Sequence, residues 1–337
     1  MSEVNRVFTL AARPEGFPRE TDFALIEEPR PVPAEGQFLI RTRFVSVDPY
    51  MRGRMNAQRS YADPFEIGKP IYGGAVGEIV ESNNDGFEVG GFVHGGWGWQ
   101  DYALSGGGDV YPVDPGIAPI QTAIGVLGMP GMTAYFGFLE ICKPKPDDCA
   151  FISGAAGAVG QLVGQIANIK GCSPVVGSCG SDEKVEFLLQ DCGYDAAFNY
   201  KTDKDYLAKV RELCPEGVDC YFDNVGGALT DAVFANLAPF ARVSICGMIS
   251  QYNLEKPEMG PRTSYMMMLT RQVSAQGFLV PQFGARFPEG IRQMAQWLGE
   301  GKLAYREDIM EGLENTPKAF IRMLNGENKG KQLVAVS

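Results

Sequence analysis

The feature that most constrains this chain is a glycine-rich turn set between an apolar run and an apolar-periodic segment. Cys149–Ser153 reads as a short buried strand. It leads into Gly154-Ala155-Ala156-Gly157-Ala158-Val159-Gly160, and a helix is predicted at once, over roughly Ala158–Lys170. Strand, turn and helix in that order form the context a dinucleotide fingerprint requires. Gly157 lets the backbone approach a pyrophosphate, Gly160 lets the helix pack on the strand, and the helix start offers free N–H groups to phosphate. The first glycine of the usual pattern is Ala155 here, so a small-residue helix start used only for packing is the competing reading.

The alternation continues downstream. Strands are predicted at Pro174–Gly177, Asp195–Phe198, Val218–Phe222 and Arg242–Cys246. Helices are predicted near Asp182–Gln190, Asp205–Leu213, Ala228–Ala238 and Phe287–Gly299, with a terminal strand at Gly330–Val336. Alternating elements of this kind mean βαβ units on a parallel sheet. The first 120 or so residues differ: Gly, Pro and short β-like runs such as Gln37–Val45, Gly77–Glu81 and Gln100–Leu104 predict a compact, mostly β domain. At 337 residues the chain suits two domains. The expected fold class is α/β, a β domain plus a doubly wound parallel-sheet domain.

The second strand carries a cofactor signal. Enzymes that use NAD usually end it with an acid that binds the adenine ribose hydroxyls, yet Pro174–Ser181 contains no carboxylate. Small residues leave room for a 2′-phosphate, and Lys184 follows one helical turn on. This favours NADPH over the alternative, Lys184 as an ordinary solvated helix residue.

Several classes are disfavoured. The net charge of −11 repels nucleic acid and anionic membrane alike. Met1–Leu10 lacks the apolar core of a signal peptide. The uncharged stretch Thr122–Leu139 is broken by Pro130 and four glycines, so it predicts a buried helix followed by a tight, Gly-rich turn rather than a membrane span. Eight cysteines form no C-x-x-C pair, and several lie in apolar runs. Buried free thiols in the cytosol are expected. No cysteine precedes Cys142, and His94 is the only histidine. A zinc site of Cys and His ligands is therefore not expected; without a Lewis acid, alcohol oxidation is disfavoured. His94, Trp97 and Trp99 read as turn and packing residues.

The stretches Ser46–Arg52 (SVDPYMR), Gly128–Gly137, Phe151–Gly160, Gly180–Val185, Phe198–Thr202, Phe222–Gly227, Cys246–Tyr252 (CGMISQY) and Asn325–Lys331 span most of the chain in order. With them the sequence resembles the medium-chain dehydrogenase/reductase superfamily. Within it, the chain is similar to the prostaglandin reductase, leukotriene B4 dehydrogenase, alkenal double-bond reductase and bacterial curcumin reductase group. The resemblance implies a GroES-like β domain (1–125 and 305–337) and a Rossmann NADPH-binding domain (126–304). It implies a homodimer and NADPH-dependent reduction of the carbon–carbon double bond of an enone or enal.

The resemblance places Gly157, Ala158, Val159 and Gly160 on the pyrophosphate, and Lys184 and Tyr200 on the 2′-phosphate side. Asn224, Cys246, Gly247, Met248, Ile249, Tyr252, Phe278, Leu279 and Val280 line the nicotinamide half, and Asn328 reaches the cofactor from the tail. Reduction builds charge on the substrate carbonyl oxygen, so the site must present a donor there. Tyr252 is the first candidate for that catalytic role and Tyr61 the second. Tyr50, Tyr61 and Tyr252 are the expected substrate contacts. Asp48 stands where zinc enzymes of the superfamily carry an early ligand cysteine. Ser264–Leu269 (SYMMML) reads as a mobile substrate loop, an interface or an ordinary buried helix. A quinone oxidoreductase of the same superfamily and a non-catalytic NADPH-binding protein remain the alternatives.

Overall fold

The computed structural model describes residues 4–58, 60–256, 258–260 and 263–336. They fall into two compact units, Met1–Gly125 with Glu307–Ser337, and Val126–Arg306.

The first unit is built on a seven-stranded sheet. Its order runs Glu307–Glu311, Lys331–Ala335, Phe38–Ser46, Ala75–Ser82, Phe92–Gly95, Val110–Val113, with Tyr102–Ser105 also paired to Phe38–Ser46. The two C-terminal strands pair in parallel with each other, and the other pairs are antiparallel. The register slips twice along Phe38–Ser46 against Ala75–Ser82, and such bulges curl a sheet around its core. Gly77 permits the close approach, because a Cβ there would lie 2.5 Å from the Arg41 carbonyl oxygen. Inside sits an aromatic cluster in which Trp99 meets Phe23, Phe8 and Phe320. The indole N–H groups are satisfied: Trp97 donates to Thr42 Oγ1 at 3.0 Å and Trp99 to the Ser46 carbonyl at 3.2 Å.

The second unit is a six-stranded parallel sheet. In space its strands run Ala196–Asn199, Val175–Cys179, Ala150–Ile152, Val218–Asp223, Leu237–Ile245, Ser274–Gly277. In chain order that is 3-2-1-4-5-6, the doubly wound arrangement of dinucleotide-binding folds. Side chains alternate between two cores, as the pleat requires. Ala150 and Ile152 join one with Leu162, Val163 and Phe222, while Phe151 and Tyr221 join the other with Val176 and Val243. No helix among the described residues is long and apolar enough to cross a membrane.

Four local expectations change. In 122–139 the glycine-rich turn precedes the helix instead of following it. The helix is Met129–Phe136, capped by Gly128 with Pro130 in its first turn, and it continues as a π-helical turn over Gly137–Cys142. Gly131 explains the order: a Cβ there would lie 1.8 Å from the Val126 carbonyl oxygen, so the turn folds directly onto the helix start. The helix expected at Ala228–Ala238 is Gly227–Phe234, and the next strand begins at Leu237. Pairing with Val218 recruits those residues into the sheet. His94 lies in strand Phe92–Gly95, opposite Val76 and Tyr111, stacked on the Tyr111 ring at 5.4 Å. SYMMML belongs to helix Thr263–Arg271, which is not a buried helix, since Tyr265 is 78% and Leu269 74% exposed.

Candidate active site

Sheet order reverses between the first strand, Ala150–Ile152, and the fourth, Val218–Asp223, and ligands of such sheets bind at the C-terminal edge of that point. The turn leaving the first strand begins at Gly154, whose φ of +60° suits glycine. Gly154 thus makes the tight turn, one residue before the position where the sequence pattern has Ala155. Ala155 is buried, its N–H donating to the Ser178 carbonyl at 2.8 Å. Helix Gly160–Ile169 then starts at once. A Cβ on Gly160 would lie 2.4 Å from the Gly154 oxygen and 2.6 Å from Ala155 Cα, so only glycine brings the helix this close. Gly157, Ala158 and Val159 are half-buried on the rim between them.

Across the switch point, buried Asp223 organises the fourth strand's end. Its Oδ1 accepts from Ser153 Oγ and from the Val225 and Gly226 amides at 2.9–3.0 Å, and Oδ2 accepts from Thr230 Oγ1 at 2.7 Å. Asn224 is locked beside it: its amide donates to Ser153 Oγ and its Nδ2 to the Ser153 carbonyl. The Cys246 and Gly247 amides both reach the Asp223 carbonyl oxygen, and Ile249 N–H donates to the Asn224 carbonyl. One buried carboxylate and its neighbours therefore hold the ends of strands one, four and five together.

Tyr252 completes this edge. The Met248 amide donates to its hydroxyl at 3.2 Å. That bond uses an oxygen lone pair and leaves the phenolic proton for another acceptor. Burial raises the Tyr252 pKa above its usual value of 10.0, with the Met248 N–H opposing the rise, so the hydroxyl stays protonated at neutral pH. Burial also pushes the Cys246 thiol up to about 12, which keeps it a neutral wall rather than a nucleophile. Phe278 is a core residue whose ring packs on Phe222 and against Gly137, whereas Leu279 is exposed and Val280 half-buried.

The second strand ends at Cys179, Gly180 and Ser181 without an acid. Ser181 caps helix Asp182–Gln190, its Oγ accepting the Lys184 amide at 3.3 Å. Burial raises the Cys179 thiol pKa, and the Lys184 charge, in the first turn of this helix, opposes that rise. Tyr200 arrives from the third strand, and a Cβ on Gly180 would lie 3.0 Å from its hydroxyl. Lys184 and Tyr200 therefore share one corner with a capped helix start, a donor set that fits a phosphate monoester. Together with the Gly160 cradle, it fits a phosphorylated dinucleotide. Ser153, Gly154, Asp223 and Ser181 had not been singled out from sequence. A Ser three residues before Lys184 at a helix start was the one readable signal among them.

Tyr50, Tyr61 and Asn328 belong to the other unit. Tyr50 opens the short helix Tyr50–Arg54. Burial first, then the Asp48 carboxylate, hold its pKa far above the ordinary value, and Tyr61 adds a smaller rise. Tyr61 itself is 59% exposed. Asn328 is half-buried in the loop before the last strand, its Nδ2 on the Gly330 carbonyl at 2.7 Å. Asp48 is committed elsewhere. Lys331, from the last strand, donates to Asp48 Oδ1 at 2.8 Å, to Ser46 Oγ at 2.5 Å and to the Val47 carbonyl at 3.0 Å. All three ammonium protons are thus used, and Ser46 Oγ donates to Asp48 Oδ2. An ammonium in place of a cation's ligands does not fit zinc, nor does a lone histidine stacked on tyrosine. Among the described residues no group of three or more His, Cys, Asp or Glu is placed to hold a metal ion. A pocket of about 450 Å³ lined by Gln165, Asn168, Asp191 and Lys302 lies at the far end of the fingerprint helix and is not part of this site.

Fold and site define a Rossmann oxidoreductase. Family models agree: residues 6–113 match an N-terminal domain of oxidoreductase, and residues 158–298 match a zinc-binding dehydrogenase domain. The NADPH-dependent curcumin reductase of Escherichia coli (strain K12) is 42% identical, over 99% of this chain and 97% of its own. The NADP(+)-dependent 2-alkenal reductase of Nicotiana tabacum is 40% identical, over 96% and 94%. The crystal structure of CurA in complex with NADPH from Vibrio vulnificus superposes with a TM-score of 0.93 at 42% identity, covering 98% and 99% of the two chains. The chain belongs to the medium-chain dehydrogenase/reductase superfamily, in the group that holds the prostaglandin, alkenal and curcumin reductases.

Proposed function

We propose that this protein is an NADPH-dependent reductase of the carbon–carbon double bond of α,β-unsaturated carbonyls, acting without zinc. The observation that carries the reading is the protonated Tyr252 hydroxyl, held by the Met248 amide at the edge organised by Asp223. NADPH, when bound, supplies the hydride delivered to the β-carbon. The residues Gly157, Ala158, Val159 and Gly160 receive the pyrophosphate, and Lys184 and Tyr200 receive the 2′-phosphate. Asn224, Cys246, Gly247, Met248, Ile249 and the Phe278–Val280 segment form the nicotinamide wall, with Asn328 a further contact from the tail. Tyr252 donates its phenolic proton in a hydrogen bond to the substrate carbonyl oxygen as charge develops there. One such preorganised donor is worth roughly 3 kcal/mol of barrier. Tyr50 and Tyr61 supply apolar faces for the substrate, and solvent delivers the α-carbon proton. The first unit, through Tyr50 and Tyr61, is the substrate-bearing one, and Tyr252 of the second unit is the donor. A cytoplasmic homodimer is the form we expect, in keeping with eight free cysteines, seven of them buried.

The test follows NADPH absorbance with trans-2-nonenal, an aryl butenone and curcumin, with a chelator and with NADH as controls. Rapid oxidation that survives chelation, is weak with NADH and yields the saturated carbonyl is the expected result. Turnover of quinones alone, or tight NADPH binding with no acceptor reduced, overturns the proposal.

A further inference from the structure

A second cation stands beside Lys184 and Tyr200. Strand Ala196–Asn199 runs parallel to Val175–Cys179 with Asn199 opposite Cys179, so the residues after Asn199 are delivered next to Gly180 and Ser181. The backbone there is pinned. Tyr200 N–H donates to the Cys179 carbonyl at 3.0 Å, and Lys201 N–H donates to Asn199 Oδ1, also at 3.0 Å. Asn199 is buried, and its Nδ2 donates to Asp182 Oδ1 at 2.8 Å. A Cβ on Gly180 would meet Tyr200 Oη at 3.0 Å and Lys201 Cε at 3.4 Å, so both side chains lean over one glycine. Lys201 is exposed and makes no ion pair among the described residues, whereas nearby Lys209 is committed to Glu212 at 2.8 Å.

We propose that Lys201 is a further ligand for the adenosine 2′-phosphate and sets the preference for NADPH over NADH, with Asn199 as its positioning residue. Asn199 acts twice. Its oxygen fixes the Lys201 backbone, and its nitrogen engages the Asp182 carboxylate, an acid at a helix start that must accept an anion. The inference rests on the NADPH reading above, and it adds a residue which that reading does not need. A solvated lysine on a phosphate makes a charge-assisted hydrogen bond, and its loss weakens binding by roughly tenfold.

The experiment needs no turnover. Binding of 2′,5′-ADP and of 5′-AMP to the full-length protein is measured by titration calorimetry for wild type, Lys201→Ala, Lys201→Arg and Lys204→Ala. Wild type should prefer 2′,5′-ADP. Lys201→Ala should weaken 2′,5′-ADP about tenfold and leave 5′-AMP within twofold, Lys201→Arg should restore most of the loss, and Lys204→Ala should match wild type. Equal losses on both ligands, or a Lys201→Ala no weaker than Lys204→Ala, overturn the role of Lys201. A wild type that binds the two ligands alike overturns the NADPH reading itself, and the inference with it.

Discussion

Each unit of this protein buries an aspartate beside a strand end, Asp48 in one and Asp223 in the other, and the two are stabilised by opposite means. In the β unit Asp48 is met by a full charge: Lys331 spends three protons on Asp48, Ser46 and the Val47 carbonyl. In the Rossmann unit the partners that hold Asp223 are neutral, two hydroxyls and two backbone amides. The difference teaches what each aspartate is for. An ion pair ties a C-terminal strand to residues 46–48, nearly 300 positions earlier, and its value is mechanical. Amide donors belong to the turns themselves, so Asp223 shapes the backbone that lines the candidate site.

The strongest way to break that contrast is to remove one charge. Lys331→Met leaves Asp48 buried and unpaired and should cost about 3–5 kcal/mol of unfolding free energy in urea titrations. The double substitution Asp48→Leu with Lys331→Met should recover most of it, because a buried pair is often replaceable by apolar side chains. A single variant losing under about 1 kcal/mol would show that the pair does not hold the strand.

Asp223→Ala removes the acceptor of four donors at once. We expect a loss of roughly 2–3 kcal/mol in stability, together with at least a tenfold weaker NADPH affinity by fluorescence titration. Stability loss with affinity unchanged would reduce Asp223 to the same mechanical role as Asp48.

Tyr252→Phe keeps the ring and removes the donor. Its kcat should fall about a hundred- to two-hundredfold, equivalent to roughly 3 kcal/mol, with NADPH affinity within twofold. A kcat near wild type would move the donor role away from the edge that Asp223 organises.

The smallest effect is one of pH. Burial raises the Tyr252 pKa, so the protonated donor form extends to higher pH than for an exposed tyrosine and is lost only as pH rises through the raised value. The kcat profile should therefore show no tyrosine inflection below about pH 10, the unperturbed value. A tyrosine-like inflection clearly below 10, absent in Tyr252→Phe, would contradict the burial that the structure assigns to it.

Much of this was legible in the chain. Local patterns carry elements whose cause is local: helices Asp182–Gln190 and Phe287–Gly299 lie where the sequence pattern predicts them, and in the structure the Ser181 cap and Pro288 fix their starts. The Gly157–Gly160 turn was readable for the same reason, since close backbone approach leaves no residue but glycine at Gly160. Where partners are remote, reading failed. The start of strand Leu237–Ile245 is set by pairing with Val218, and His94 is held in a strand by neighbours at 76 and 111. The turn over 125–128 is a local exception, set by the close approach of Gly131 to the Val126 carbonyl oxygen.

By itself, then, the sequence determined the class of fold, the fingerprint turn and the missing acid at the second strand. These follow from residue types at short spacing, where chain geometry leaves few alternatives. Only the tertiary structure decided that Lys331 answers Asp48, that Asp223 binds three strand ends, that Tyr252 keeps a free proton, and that Lys201 leans over Gly180. Three of those depend on which strands become neighbours, joining residues tens or hundreds of positions apart that leave no periodic trace in the chain. The Tyr252 bond is local, but the segment that makes it is folded by bonds from residues 246, 247 and 249 back to 223 and 224.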